Sequence, residues 1–209
     1  ALRLLFSVLI VLIAGKLTLR NKLFGLSDDE PILLRLSLYF AAGSIILSLY
    51  MFILSILGIR YSILSISLPF LLYFVYDIYR TLPYLFNNYR RSLKLPTIEK
   101  PKSWQDYIFP VTIIILSLVV FAAFLNNLLM PIFRADAIGL WAYKAKIFYV
   151  EHRVPFDILI NKLSDLRADY PLLVPLNMAW TVICLGKWND AIIKLFFSVQ
   201  FMATMMIFY

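Results

Sequence analysis

The sequence predicts an all-α fold, a polytopic transmembrane helix bundle with juxtamembrane helices in one outer loop. Three observations predict it. The 209 residues are 62% hydrophobic and only 15% charged, with a mean hydropathy of +0.84; a soluble domain is about half apolar and about a quarter charged. Several uncharged runs reach the roughly 20 residues a helix needs to cross a hydrocarbon core about 30 Å thick. The alternating segments of about ten residues that mark a membrane β-barrel are missing, and in lipid a helix is the other structure that satisfies its own backbone.

The same arithmetic excludes other classes. A chain this apolar is neither disordered nor collagen-like. One cysteine (Cys184) and one histidine (His152) exclude a disulfide framework and a zinc ribbon. The net charge of +8 comes from Lys and Arg that flank apolar runs. That pattern sets orientation in a bilayer and calls for no nucleic-acid partner. The chain starts at Ala1 without an initiator Met and ends at Tyr209 inside an apolar run, so a longer protein is expected.

Leu4 to Gly15 is uncharged and starts the first span, with no small-x-small cleavage site behind it. Leu36 to Gly58 is 23 residues without a charge, the second span. Ser27-Asp28-Asp29-Glu30 before it fits a capping box, and Pro31 fits a first helical turn. Tyr61 to Tyr76 is the third span, with Pro69 inside it. Asp77 lies three residues from Arg80, so an interfacial position is expected for it. Residues 80–106 are polar, carry six Lys or Arg and contain Pro83, Pro96 and Pro101, which mark a module boundary. Tyr107 to Phe133 is 27 uncharged residues, the fourth span, with Asn126 and Asn127 near its end. Tyr170 to Gly186 reads as a short fifth span, Lys187-Trp188-Asn189-Asp190 as a turn, and Ala191 onward as the sixth.

Counting Lys and Arg places the 80–106 linker in the cytoplasm. Alternation then puts residues 134–169 outside and the Lys187 turn inside. The localisation expected is a cytoplasmic (inner) membrane, multi-pass, with the loop on the outer, periplasmic side. A fixed-period repeat, a Gly-rich phosphate loop, HExxH and GxSxG are all missing from the sequence.

Chemistry concentrates in the outer loop. Asp136 heads a helical stretch followed by Trp141, Lys144 and Lys146, and Asp169-Tyr170-Pro171 heads the next apolar run. Each feature has a structural explanation. An Asp caps helices and suits their positive end, Trp141 and Tyr143 suit an interfacial belt, and Lys144 and Lys146 can snorkel.

FRADAIGLWAYKAKIFYVEHRVP followed by ADYPLLVPLNMAWTVICLGKWNDAIIK resembles the first outer loop and second core helix of the GT-C superfamily of polytopic glycosyltransferases. The closest likeness is to its family 39-like branch, which includes relatives of the protein O-mannosyltransferases and of the lipid A aminoarabinose transferase. The likeness rests on Asp136, on Trp141 with Lys144 and Lys146, on Asp169-Tyr170-Pro171, and on the turn from Gly186 to Asp190, and covers residues 131–194. In that family the acidic loop follows the first transmembrane helix, whereas here it follows the fourth. Residues 1–79 then form an N-terminal extension of three spans, 80–106 a basic cytoplasmic linker, and 107–209 the start of a truncated GT-C-like core.

The resemblance implies transfer of a sugar from a polyprenyl-phosphate-linked donor, with inversion, to a glycan, lipid or protein acceptor. Such transfer needs a base for the acceptor proton and cations for the departing phosphate. The resemblance assigns Asp136 as the base. Arg134, Lys144 or Lys146 would hold the phosphate, with Trp141, Asp169 and Tyr170 lining the substrate. On a helix, Lys144 lies about 12 Å beyond Asp136 near the same face. Asp169 could hydrogen-bond the sugar or join Asp136 around Mg or Mn; many relatives are metal-independent, and the cofactor stays open. The alternatives are a non-catalytic membrane scaffold subunit and a transporter or flippase.

Overall fold

The uncharged runs are helices. A computed structural model describes residues 2–19, 30–88, 107–130, 132, 137–161 and 170–208, and among them there is no strand. The helices are α1 (Leu2–Leu19), α2 (Ile32–Ile56), α3 (Ile63–Asn88), α4 (Ile108–Leu129), α5 (Tyr143–Glu151), α6 (Phe156–Asn161), α7 (Leu173–Leu185) and α8 (Asp190–Phe208). A π-helical turn, Ala137–Ala142, leads into α5. Of these, α1, α2, α3, α4 and α8 are long and apolar enough to cross a membrane. Six spans were expected; the described residues hold five.

Small residues set the closest contact. Gly15 of α1 lies against Tyr39 and Gly43 of α2 against Val11, and a Cβ built on either glycine would fall within 2 Å of the facing carbonyl oxygen. The two helices are therefore antiparallel and in backbone contact, as small-residue crossings allow in lipid. Continued along the helices, this register sets Ser7 opposite Leu47 and Arg3 opposite Met51.

Pro69 sits within α3 without ending it. Proline has no N–H, so the Ser65 carbonyl loses its helical donor. The Tyr50 hydroxyl donates to that carbonyl at 3.1 Å, a replacement of the kind that lets proline persist in membrane helices. Asp77 is buried by protein and pairs with Lys16, in the last turn of α1, at 2.5 Å. The Ser27–Glu30 cap falls mostly outside the described residues. Pro31 is the N-cap of α2, without a side-chain cap hydrogen bond.

The turn between α2 and α3 docks on the chain after α5. The Val154 amide donates to Ser55 Oγ at 2.9 Å, and that hydroxyl meets Tyr61 Oη at 2.6 Å. The Tyr61 amide donates to the His152 carbonyl at 2.5 Å. His152 takes a left-handed backbone, φ 53°, which ends α5.

At 13 residues α7 is about 20 Å long, too short for the hydrocarbon core. All ten residues from Pro175 to Cys184 are buried, the signature of a helix enclosed by protein. Ser48 Oγ donates to the Leu173 carbonyl at 3.2 Å, Trp180 Nε1 to the Ser7 carbonyl at 3.1 Å, and Arg3 to the Leu185 carbonyl at 2.8 Å. In the α1–α2 register these partners all lie toward the N-terminus of α1 and the C-terminus of α2. So α7 lies across one end of the bundle.

The other helices agree. Asn127 near the end of α4 donates to Ser198 midway along α8 at 2.9 Å, and Lys194 in the second turn of α8 donates to the Met130 carbonyl. Thus α8 starts where α4 finishes and runs antiparallel to it. The turn at Lys187, expected opposite the 134–169 segment, lies at the same end as the described part of that segment. One core joins α1, α2 and α3 to α5, α7 and α8 through Ile10, Leu47, Ile66, Phe148, Trp180 and Phe196.

Candidate functional site

The end of the bundle that gathers α7 and α5 also gathers the aromatic and basic residues. The wider π-helical turn carries Trp141, and π segments recur at functional sites. Tyr170, just before α7, meets Trp141 edge-on with ring centroids 5.7 Å apart. The Lys144 ammonium lies 5.9 Å from the Tyr170 ring centroid. Its side chain is fully buried and makes a further interaction, as a buried charge requires. Trp141, Lys144 and Tyr170 therefore form one cluster.

Lys146 is not part of it. Two residues along a helix turn a side chain to the far side. Lys146 is exposed, with its ammonium 5.8 Å from the Trp188 ring centroid. Trp188 Nε1 donates to Asp190 at 2.6 Å, and Asn189 Oδ1 accepts from the Ile192 amide at 3.0 Å. The Gly186–Asp190 element thus caps α8 and holds Trp188, and Gly186 ends α7 at φ +75°. Arg134, Asp136 and Asp169 lie outside the described residues.

A cavity of about 610 Å³ opens beside the cluster. Ala137 and Trp141 form one wall, Asn126 and Asn127 of α4 a second, and Lys194 and Phe197 of α8 a third. Ala137, which lines the cavity, directly follows Asp136 in the sequence. Lys194 was not expected here. Its signal was present, because it is the only charged residue between Asp190 and Tyr209, and a lone ion in a membrane helix is a functional candidate by default. Asn127 packs on α8 through Ser198, and both Asn126 and Asn127 line the cavity.

The arrangement offers an ammonium and two carboxamides in a mostly apolar lining, a pocket able to hold an anion with a polar substituent. Among the described residues no three His, Cys, Asp or Glu side chains gather to hold a metal. The two acids named for one, Asp136 and Asp169, fall outside them. At the same end, burial pushes the Tyr61 hydroxyl up to about 12 against the opposing pull of its Ser55 hydrogen bond. Burial also pushes the Cys184 thiol well up, which keeps it an unreactive thiol. Compared with protein-family models, with curated proteins and with solved structures, the chain shows no match.

Proposed function

We propose that the chain is an integral membrane glycosyltransferase of the GT-C type. It transfers a sugar from a polyprenyl-phosphate-linked donor to an acceptor on the outer side of a cytoplasmic membrane. The observation that carries the reading is the cavity of about 610 Å³ with Lys194 on one wall and Ala137, the residue after Asp136, on another. Displacement at a sugar phosphate requires a cation for the departing phosphate and a base for the acceptor proton; Lys194 offers the first here, and Asp136 is proposed as the second.

In the proposed step the acceptor O–H or N–H attacks the anomeric carbon. The bond from that carbon to the phosphate oxygen breaks, its electron pair leaves with the lipid phosphate, and the acceptor proton passes to Asp136. Trp141 offers an aromatic face to the sugar, and behind it Tyr170, held by the buried Lys144 through its ring, packs edge-on against Trp141. The test uses the full-length protein in membranes supplied with polyprenyl-phosphate-linked hexoses. Asp136→Asn should lower sugar transfer by about 10² or more at normal abundance. Wild-type transfer by that variant would remove Asp136 from the mechanism.

One observation favours a second reading, a transporter. Helix α7 is a short buried helix that turns back at the end it started from, and interrupted helices build transport sites. Uptake of a substrate by reconstituted protein, with no glycosylated product, would favour it.

A further inference from the structure

A second cavity, of about 370 Å³, lies at the end of the bundle opposite α7. It is lined by residues between Leu9 and Lys16 of α1, between Ile32 and Tyr39 of α2, and by Phe74 and Thr81 of α3. The α1–α2 register orders these residues by depth. Ile32 and Arg35 stand outermost, Lys16 and Tyr39 come next, and Leu12 and Leu9 lie furthest in. From Lys16 to Leu9 the wall runs about 10 Å. The cavity is thus cationic at one end and apolar at the other. Leu9, Ile32 and Leu36 keep exposed surface, so it opens sideways, toward lipid.

We infer that this cavity binds an anionic phospholipid of the leaflet opposite the candidate site. The phosphate sits between Arg35 and Lys16, and the first part of a tail lies along Leu12, Leu9 and Phe74. Charge complementarity argues for the occupant. An ammonium has three donors; Asp77 takes one of those of Lys16, whose side chain stays 35% exposed. Arg35 adds a second cation, with a fork that suits phosphate. Among the described residues at this end, these two cations stand against the carboxylate of Asp77, and the exposed Glu30 and Arg80 offset each other. A phosphodiester matches the positive charge left over. Basic pockets between membrane helices hold anionic headgroups in this way, and an apolar wall open to the bilayer favours a lipid over free phosphate. The inference stands apart from the transferase reading, whose cavity lies at the other end of the bundle.

The test is photo-crosslinking of the full chain in phosphatidylcholine vesicles that carry a trace of phosphatidylglycerol with a diazirine near the head of one acyl chain. Crosslinks are expected within residues 9–16, 32–39 and 74–81. Unlabelled phosphatidylglycerol should abolish them, and inorganic phosphate and glycerol phosphate should not. Arg35→Ala should lower the yield about tenfold, the value of a charge-assisted hydrogen bond, with Arg35→Lys, which lacks the fork, restoring part of it. Leu36 lines the cavity and is exposed, so Leu36→Trp should block the site with the fold and both cations intact. Equal labelling of the same residues by a diazirine phosphatidylcholine would reduce the site to ordinary bilayer contact and overturn the inference. Competition by inorganic phosphate would make it a site for a free anion and overturn the inference too. An unchanged yield in both Arg35→Ala and Leu36→Trp would do the same.

Discussion

The Arg3 guanidinium donates to the Leu185 carbonyl at 2.8 Å, so the first turn of α1 is tied to the last turn of α7. The carbonyls of a helix's last turn have no donor of their own, and a cation there also opposes the negative end of the dipole. The bond keeps the end of α7 beside the start of α1. With Ser48 holding Leu173, α7 leaves the bundle at the end where it entered. That return brings the Trp188 turn to Lys146 and the start of α8 to the cavity beside Trp141.

The α1–α2 crossing should tolerate no added carbon. A Cβ at Gly43 would lie 1.8 Å from the Val11 carbonyl oxygen, and one at Gly15 1.7 Å from that of Tyr39. Each Gly→Ala change should cost about 3 kcal/mol, the upper range for overpacking. Gly58 has φ +71° and open space around it, so Gly58→Ala should cost only about 1–2 kcal/mol of backbone strain. Thermal unfolding in detergent measures all three, and equal losses would contradict the contact.

Removing one partner of the Lys16–Asp77 pair leaves a charge in a poor environment. Asp77 is buried and Lys16 keeps about a third of its side chain exposed. Either Lys16→Met or Asp77→Leu should therefore cost about 2 kcal/mol, less than a fully buried pair would. The double variant should recover most of it. A double loss equal to the sum of the singles would show that the two residues do not interact.

Tyr50 and Pro69 should be coupled. Tyr50→Phe leaves the Ser65 carbonyl without a donor and should cost about 1–2 kcal/mol. With Pro69→Ala, residue 69 gains an amide that bonds Ser65 directly, and the same tyrosine change should then cost little. A coupling of about 0.5 kcal/mol or more in the double-mutant cycle is expected; zero coupling would sink the replacement argument.

The Tyr61 hydroxyl links α2 to the segment after α5 as a neutral group. Its pKa is raised in the folded protein, from 10.0 to about 12. A raised pKa contributes stability that is full below the unfolded value and lost as pH rises through the folded one. The stability difference between wild type and Tyr61→Phe should thus hold constant up to about pH 10 and shrink toward pH 12. A difference that does not change across that interval would contradict the buried neutral hydroxyl.

The sequence shows that a stretch avoids water, and leaves open what covers it. The runs within α1, α2 and α4 face lipid on much of their surface, and their lengths identify them. Tyr170 to Gly186 is just as apolar, but protein surrounds the helix formed within it, so the same signal was read as a fifth crossing. One misread crossing also moved the Lys187 turn to the wrong end. The partner of Asp77 was hidden in the same way, because distance to Arg80 along the chain says nothing of Lys16 on another helix. Within the site, the segment that holds Trp141, Lys144 and Tyr170 was legible from its unusual mix of aromatic and basic residues. Lys146 was grouped with Lys144 by proximity in sequence, and helical rotation separates them. Lys194 reaches the cavity only through the α4–α8 pairing, a contact between residues far apart in sequence.

The account stands on α7 returning to the end it left, and sided cysteine labelling tests that most directly. Cys184 is the single native cysteine, buried and with its thiol pKa raised, so introduced cysteines report alone. Lys187 and Asp157 are exposed at the site end, and Glu30 is exposed at the start of α2. In intact cells a membrane-impermeant maleimide should label Lys187→Cys and Asp157→Cys alike, and Glu30→Cys only after permeabilisation. Labelling of Lys187→Cys together with Glu30→Cys, and apart from Asp157→Cys, would make α7 a crossing helix and dismantle the proposed site.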